Sequence, residues 1–147
     1  MQKGENMCSS VKDSIHIGIV GSRTFPESRY SEYFHKIRAI TDSAAEITGI
    51  YGLYPEVRIV SGGAIGADAF ASYFVDRINK WSYLSYTLKE YLPDWDSHGK
   101  SAGHIRNEKI VSDSDMIIAI WDGKSKGTQD TIRLAKKEKV PTIILYF

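Results

Sequence analysis

Three segments of the sequence combine glycine with small polar side chains: Gly21-Ser22-Arg23-Thr24, Ser61-Gly62-Gly63-Ala64-Ile65-Gly66-Ala67-Asp68, and Trp121-Asp122-Gly123-Lys124-Ser125-Lys126-Gly127-Thr128. Glycine lets the backbone turn tightly and bring its N–H groups against an anion, and a helix that starts just afterwards adds its positive end. The second segment has the sharpest pattern for such a cradle. A fourth stretch, 93–108, is dense in functional groups. There Arg106 can grip a phosphate or carboxylate bidentately, Asn107 can bond a base or ribose, and Trp95 can stack on a base. Asp68, Asp122 and Asp130 are the carboxylates available for acid–base work beside such a ligand. Plainer roles stand next to these. The glycines can simply permit strand–helix turns, Arg106 and Asn107 can tie a loop to a helix, and Asp68 can serve only the dipole of its helix.

Two familiar motifs do not fit. Gly62-Gly63-x-x-Gly66 departs from GxGxxG and follows the second strand instead of the first, which argues against a standard NAD site. Gly123-Lys124-Ser125 imitates the end of a P-loop, but that motif needs glycine where Ile118 stands. His98 and His104, with Asp94 and Asp96, match no standard ligand spacing, so neither a metal nor another cofactor is expected. His16 and His35 fall inside a strand and a helix and read as structural.

The elements that must position these residues follow from periodicity. The apolar runs 15–20 and 57–60, the weaker 83–88, and 116–121 and 142–146 read as buried strands. Tyr30, Tyr33, Phe34, Ile37, Ile40, Ala44 and Ile47 recur at helical spacing, with Gly49 and Gly52 closing that helix. Ala67, Phe70, Ala71, Phe74 and Ile78 mark a second helix. A short one is expected at 101–112, with Ala102, Ile105 and Lys109 on one side, and another at 127–138; 89–100 reads as a loop. Near-continuous apolar strands alternating with helices predict an α/β fold: a three-layer Rossmann-like sandwich around a mostly parallel five-stranded sheet. In such a sheet, ligands gather beyond the carboxyl ends of the strands, where the three glycine segments fall.

Composition sets the outer bounds. With 147 residues, 42% hydrophobic and 25% charged, the chain suits one globular domain, expected over 15–147 after a flexible polar arm at 1–14. The formal charge is +1, which disfavours broad electrostatic binding to nucleic acid. Cys8 is the single cysteine, so no internal disulfide forms. The longest apolar run, 116–121, is far too short to span a bilayer, and the polar start lacks the apolar stretch of a signal peptide. A cytoplasmic protein without membrane contact is expected.

Taken in order, Gly21-Ser22-Arg23, Ser61-Gly62-Gly63-Ala64-x-Gly66-x-Asp68, Asp94-Trp95, Gly99-Lys100-x-Ala102-Gly103, Arg106-Asn107-Glu108 and Trp121-Asp122-Gly123-x-Ser125-x-Gly127-Thr128 resemble the SLOG superfamily of Rossmann-like nucleotide-binding domains, most closely its YspA/cpYpsA-related branch. The resemblance spans about 17–144. It implies a site for a nucleotide or nucleotide-derived ligand, such as ADP-ribose, an NAD-related molecule or a signalling nucleotide, held for sensing or sequestration. It also implies a homodimer or higher homo-oligomer, and five Phe, nine Tyr and three Trp are many aromatics for a small core. The LOG phosphoribohydrolases of this superfamily cleave base from nucleoside monophosphate with an arginine and a glutamate. Arg106 stands where the arginine is expected, but the glutamate position falls on Thr131, with Asp130 one residue early. Glycosidic cleavage needs a placed carboxylate, so hydrolysis of an N-glycosidic or phosphoester bond is the alternative. DNA-processing protein A shares the second-segment and Arg-Asn patterns, which makes single-stranded DNA binding the second alternative.

Overall fold

The computed structural model describes residues 14–48 and 56–147. Of the arm expected at 1–14, residues 1–13 with Cys8 lie outside the described residues, as does the helix stop at Gly49 and Gly52, while Ser14 belongs to the first strand. Five strands, β1 (Ser14–Gly21), β2 (Glu56–Ser61), β3 (Ser85–Glu90), β4 (Met116–Trp121) and β5 (Thr142–Tyr146), pair in the order β3-β2-β1-β4-β5. Every pairing is parallel, so the sheet is wholly rather than mostly parallel.

Side chains alternate between the two faces of a strand, and the apolar ones divide accordingly. Ile15, Ile17, Ile19, Val57, Ile59, Ile118 and Ile120 pack under α1 (Tyr30–Thr48) and α2 (Ala67–Ile78). Val20, Val60, Ile117 and Ala119 pack on the other face against α4 (Ala102–Ser112) and α5 (Lys126–Lys137). Both faces are thus covered, which is why the strands read as near-continuous apolar runs. Gly18 makes room for the β4 side chain Ile117 and for Ser114, just after α4: a Cβ there would stand 2.5 Å from Ile117 Cδ1 and 2.8 Å from Ser114 Oγ.

Three local expectations shift. β3 starts at Ser85 instead of Tyr83, because the Asn79 side chain brackets Tyr86, accepting from its N–H at 3.0 Å and donating to its carbonyl at 2.9 Å. The expected loop 89–100 contains a one-turn helix, α3 (Trp95–His98), whose start is capped by Asp94 accepting from the Ser97 N–H at 3.1 Å. In α4 the buried side runs through Ala102, Asn107, Ile110 and Val111, not through Ile105 and Lys109.

Much of the aromatic content is consumed internally. Phe25 is buried, and its ring meets those of Tyr33 (4.8 Å), Phe147 (5.1 Å), Tyr30 (5.7 Å) and Phe70 (5.9 Å). That cluster pins the turn that follows β1, while Trp81, Tyr83, Trp95 and Tyr146 remain exposed.

Candidate functional site

Chain order along the sheet reverses between β1 and β4, and a cleft of about 410 Å³ opens beyond their carboxyl ends. Of the residues singled out from sequence, Gly21, Ser22, Arg23, Ala64, Asp68, Arg106, Asn107, Asp122, Ser125, Gly127 and Thr128 line it. Val20, Thr24, Ile110, Lys124 and Thr131 line it too. Helical spacing carried a signal for two of these, since Ile110 lies one turn beyond Arg106 and Thr131 one turn beyond Gly127. Ser61, Gly62, Gly63, Gly66, Trp95 and Gly123 stand outside the lining. A larger hollow of about 900 Å³, between α4 and α5 near Asp113 and Val140, lies before β4 and β5, away from the strand ends where ligands gather in such folds.

Ser22 is the node of the first loop. Its N–H donates to the Ile120 carbonyl (2.9 Å), its carbonyl accepts from Phe25 and Ala67, and its Oγ accepts from the Asp122 N–H (3.1 Å). Asp122 folds the third loop. It accepts from the N–H groups of Ser125 (2.8 Å) and Lys124 (2.9 Å) and from Thr24 Oγ1 (3.1 Å). The backbone donors lower its carboxyl from 3.8 to about 2. It is ionised and committed to the loop, a poor proton carrier near neutral pH. Arg23, between these loops, is exposed and has no hydrogen-bond or ion-pair partner among the described residues.

The second segment, the sharpest in the sequence, carries its own anion. Asp68 lies in the first turn of α2 and accepts from the Ala64 N–H at 3.2 Å, so its carboxylate sits where a ligand anion was expected. Burial pushes its carboxyl above the usual range, with the Arg106 charge and the Ala64 N–H opposing. Gly63 (φ +70°) turns away from the cleft: a Cβ there would meet Leu92 and Glu90. A Cβ on Gly62 would collide with the Arg106 guanidinium, which fills that space. Gly66 serves the turn, its carbonyl accepting from Tyr30 Oη at 2.9 Å. Trp95 is exposed and packs beside Gly103.

Arg106 donates from Nη1 to the Gly62 carbonyl (2.9 Å) and from Nε to Asn107 Oδ1 (3.0 Å). Nη2 has no hydrogen-bond partner among the described residues. No buried side-chain nitrogen or oxygen there lacks one, so Nη2 is open to solvent. Across the cleft, α5 begins without an acid in its first turn; Asp122 takes the N–H of its N-cap Ser125, and no side chain among the described residues accepts from the N–H groups of 126–128. Thr131, at the glutamate position of the LOG pattern, is buried and donates to the Gly127 carbonyl (3.2 Å). Asp130 is outside the lining and is held by Arg133 Nη2 (2.7 Å), His104 Nδ1 (2.8 Å) and Asn107 Nδ2 (3.0 Å). Burial raises its carboxyl, but these contacts prevail and keep it below the usual range. Among the described residues, no three His, Cys, Asp or Glu side chains are grouped to hold a metal, and no helix is long and apolar enough to cross a membrane.

A wholly parallel, doubly covered sheet with its cleft at the switch point defines a Rossmann-like α/β protein. A solved structure of DNA processing protein A from Helicobacter pylori, described for its single-stranded DNA binding mode, has a similar fold. The TM-score is 0.53 at 20% identity, over 88% of this chain and 64% of that one. The chain thus spans less than two-thirds of that neighbour. In sequence, it is 35% identical over 100 residues to the Gene 61 protein of Mycobacterium phage D29, covering 63% of this chain and 71% of the relative. The chain belongs to the family of that phage protein. No protein-family profile matches it.

Proposed function

We propose that the cleft binds the phosphate of a nucleotidyl group, and that single-stranded DNA is the source to test first. The observation that carries this reading is the pairing of two arginine groups, Arg23 and Nη2 of Arg106, neither hydrogen-bonded among the described residues, with the start of α5, which has no side-chain cap and no acid in its first turn. A phosphate there gains charge-assisted hydrogen bonds and a helix end at once. DNA as the source is supported by the fold neighbour, a protein described as binding single-stranded DNA. The second reading is a free nucleotide-derived molecule, such as ADP-ribose or an NAD-related or signalling nucleotide. It is favoured by a cleft volume within the range of small-molecule sites. The proposal also includes the YspA/cpYpsA-related branch of the SLOG superfamily and the homodimer or higher homo-oligomer which that resemblance implies, in a cytoplasmic setting. For hydrolysis, Asp122 is committed to its loop and Asp130 lies outside the cleft, which leaves Asp68, raised by burial and held by the Ala64 N–H, as the remaining candidate carboxylate in the lining.

Anisotropy titration of a labelled oligothymidylate, beside calorimetry with ADP-ribose, tests the reading. Oligonucleotide binding that weakens steeply with salt supports DNA as the source. Tight ADP-ribose binding with no oligonucleotide affinity moves the assignment to the second reading. If neither binds, the proposal falls.

A further inference from the structure

We infer that Asp130, which lies outside the cleft, is a positioning residue that aims Arg106 at the ligand by fixing the amide of Asn107. The inference rests on reading the cleft as a phosphate site. The chain of contacts crosses from α5 to α4. Asn107 Nδ2 donates to Asp130 Oδ2 at 3.0 Å, Arg106 Nε donates to Asn107 Oδ1 at 3.0 Å, and Arg106 Nη1 donates to the Gly62 carbonyl at 2.9 Å. Asn107 is only 6% exposed, so water does not compete freely for its amide.

The chemistry of the two ends determines which way that amide points. A guanidinium only donates and a carboxylate only accepts, so the amide oxygen must face Arg106 and the NH₂ must face Asp130. Turned over, the amide would set N–H against N–H at Arg106 and oxygen against carboxylate at Asp130. On the NH₂ side Asp130 supplies most of that penalty, since the other acceptor for Nδ2, the Gly127 carbonyl, is at 3.4 Å, near the limit of a hydrogen bond. Asp130 is itself held by His104 Nδ1 (2.8 Å) and Arg133 Nη2 (2.7 Å). With Nε and Nη1 both engaged, the guanidinium plane is fixed and Nη2 is the group left for a ligand oxygen. Without Asp130 the NH₂ side keeps only the long contact to the Gly127 carbonyl, so the amide turns more easily and holds Nε less firmly.

Affinity for labelled oligothymidylate and for ADP-ribose, with melting temperatures alongside, tests this. Arg106→Ala is expected to weaken binding about ten- to a hundredfold. Asp130→Ala should weaken it about three- to tenfold, and Asp130→Asn less, because one oxygen can still accept from Asn107. The deciding variant is Arg106→Lys, which keeps the charge but has no Nε donor. In that background Asp130→Ala should cost less than about twofold, the non-additivity expected of residues acting through one contact. A purely structural Asp130 would lower the melting temperature but leave the affinity loss the same in both backgrounds. That result overturns the inference, as does an Asp130→Ala variant with parental affinity. If Arg106→Ala itself leaves affinity unchanged, the reading of the cleft fails, and the inference with it.

Discussion

Removing the Arg106 side chain should cost more stability at neutral pH than at pH 4. Two hydrogen bonds go with it, to the Gly62 carbonyl and to Asn107 Oδ1. At about 0.5–1 kcal/mol each for a partly exposed group, the loss is about 1–2 kcal/mol, or roughly 3–6 °C for a domain of this size. Asp68 adds a pH-dependent part. Burial already sets its carboxyl above the usual range, and the Arg106 charge is the largest influence opposing that rise. Without Arg106 the carboxyl rises further in the folded state, while its unfolded value stays near 3.9. An acid whose folded value lies above its unfolded one favours folding when protonated. That contribution is present below about pH 4 and is lost as pH rises through the folded value. The Ala64 N–H and the Arg23 charge still face Asp68, so the further loss by pH 7 is about 1 kcal/mol, well short of that for a fully buried pair. Melts of Arg106→Ala and its parent at pH 4 and pH 7 should differ by roughly 3 °C more at pH 7, and Asp68→Asn in the same chain should erase that difference. An equal loss at both pH values would refute the coupling of Arg106 to Asp68.

Arg23→Ala should leave the melting temperature within about 1 °C, since exposed Arg23 makes no hydrogen bond or ion pair among the described residues and touches Asp68 only through its charge, yet lower oligothymidylate affinity about three- to tenfold at low salt. The slope of log affinity against log salt should fall by about 0.7, one phosphate contact on a single strand, as read by anisotropy over a salt series. Asp122→Asn should flatten the acid limb of stability. The parent carboxyl is held at about 2 in the fold against 3.8 ordinarily, so its contribution is present above about pH 4 and is lost as pH falls towards 2. Acid melts of the two proteins measure this. Gly66→Ala should lower the melting temperature by several degrees more than Gly123→Ala. Both glycines have positive φ (+75° and +79°), but a Cβ on Gly66 presses on the Ser22 and Arg23 carbonyl oxygens at 2.5 and 2.6 Å, whereas one on Gly123 meets open space.

The fold was largely legible because its strands are buried on both faces. The runs 116–121 and 142–146 match β4 and β5 end to end; β4 needs that composition as an interior parallel strand, whereas β5 is the sheet's half-buried edge strand, started by Pro141. Boundaries failed where a side chain, not periodicity, decides them. Asn79 sets the start of β3 by bonding Tyr86 from seven residues away, and Asp94 makes a helical turn from a segment with no apolar repeat. The buried side of α4 was misread because one of its inward residues is polar: Asn107 is buried for its hydrogen bonds, and a search for apolar spacing passes over it.

For the site, the rim segments were legible but the choice among them was not, and the reason is electrostatic. Both α2 and α5 follow glycine-bearing turns, so each presents a positive end to the same rim. Glycine density favoured α2. Asp68, however, stands in the first turn of α2, where it takes the Ala64 N–H and shares the charge of Arg106. That end is neutralised from within the chain. The first turn of α5 carries no acid, and the acid just before it, Asp122, spends its oxygens on Lys124, Ser125 and Thr24. The difference was written in the sequence as the presence of Asp68 and the absence of any acid at 126–128. Counting the charges a loop already satisfies, before counting its glycines, moves the expected anion from the second loop to the third.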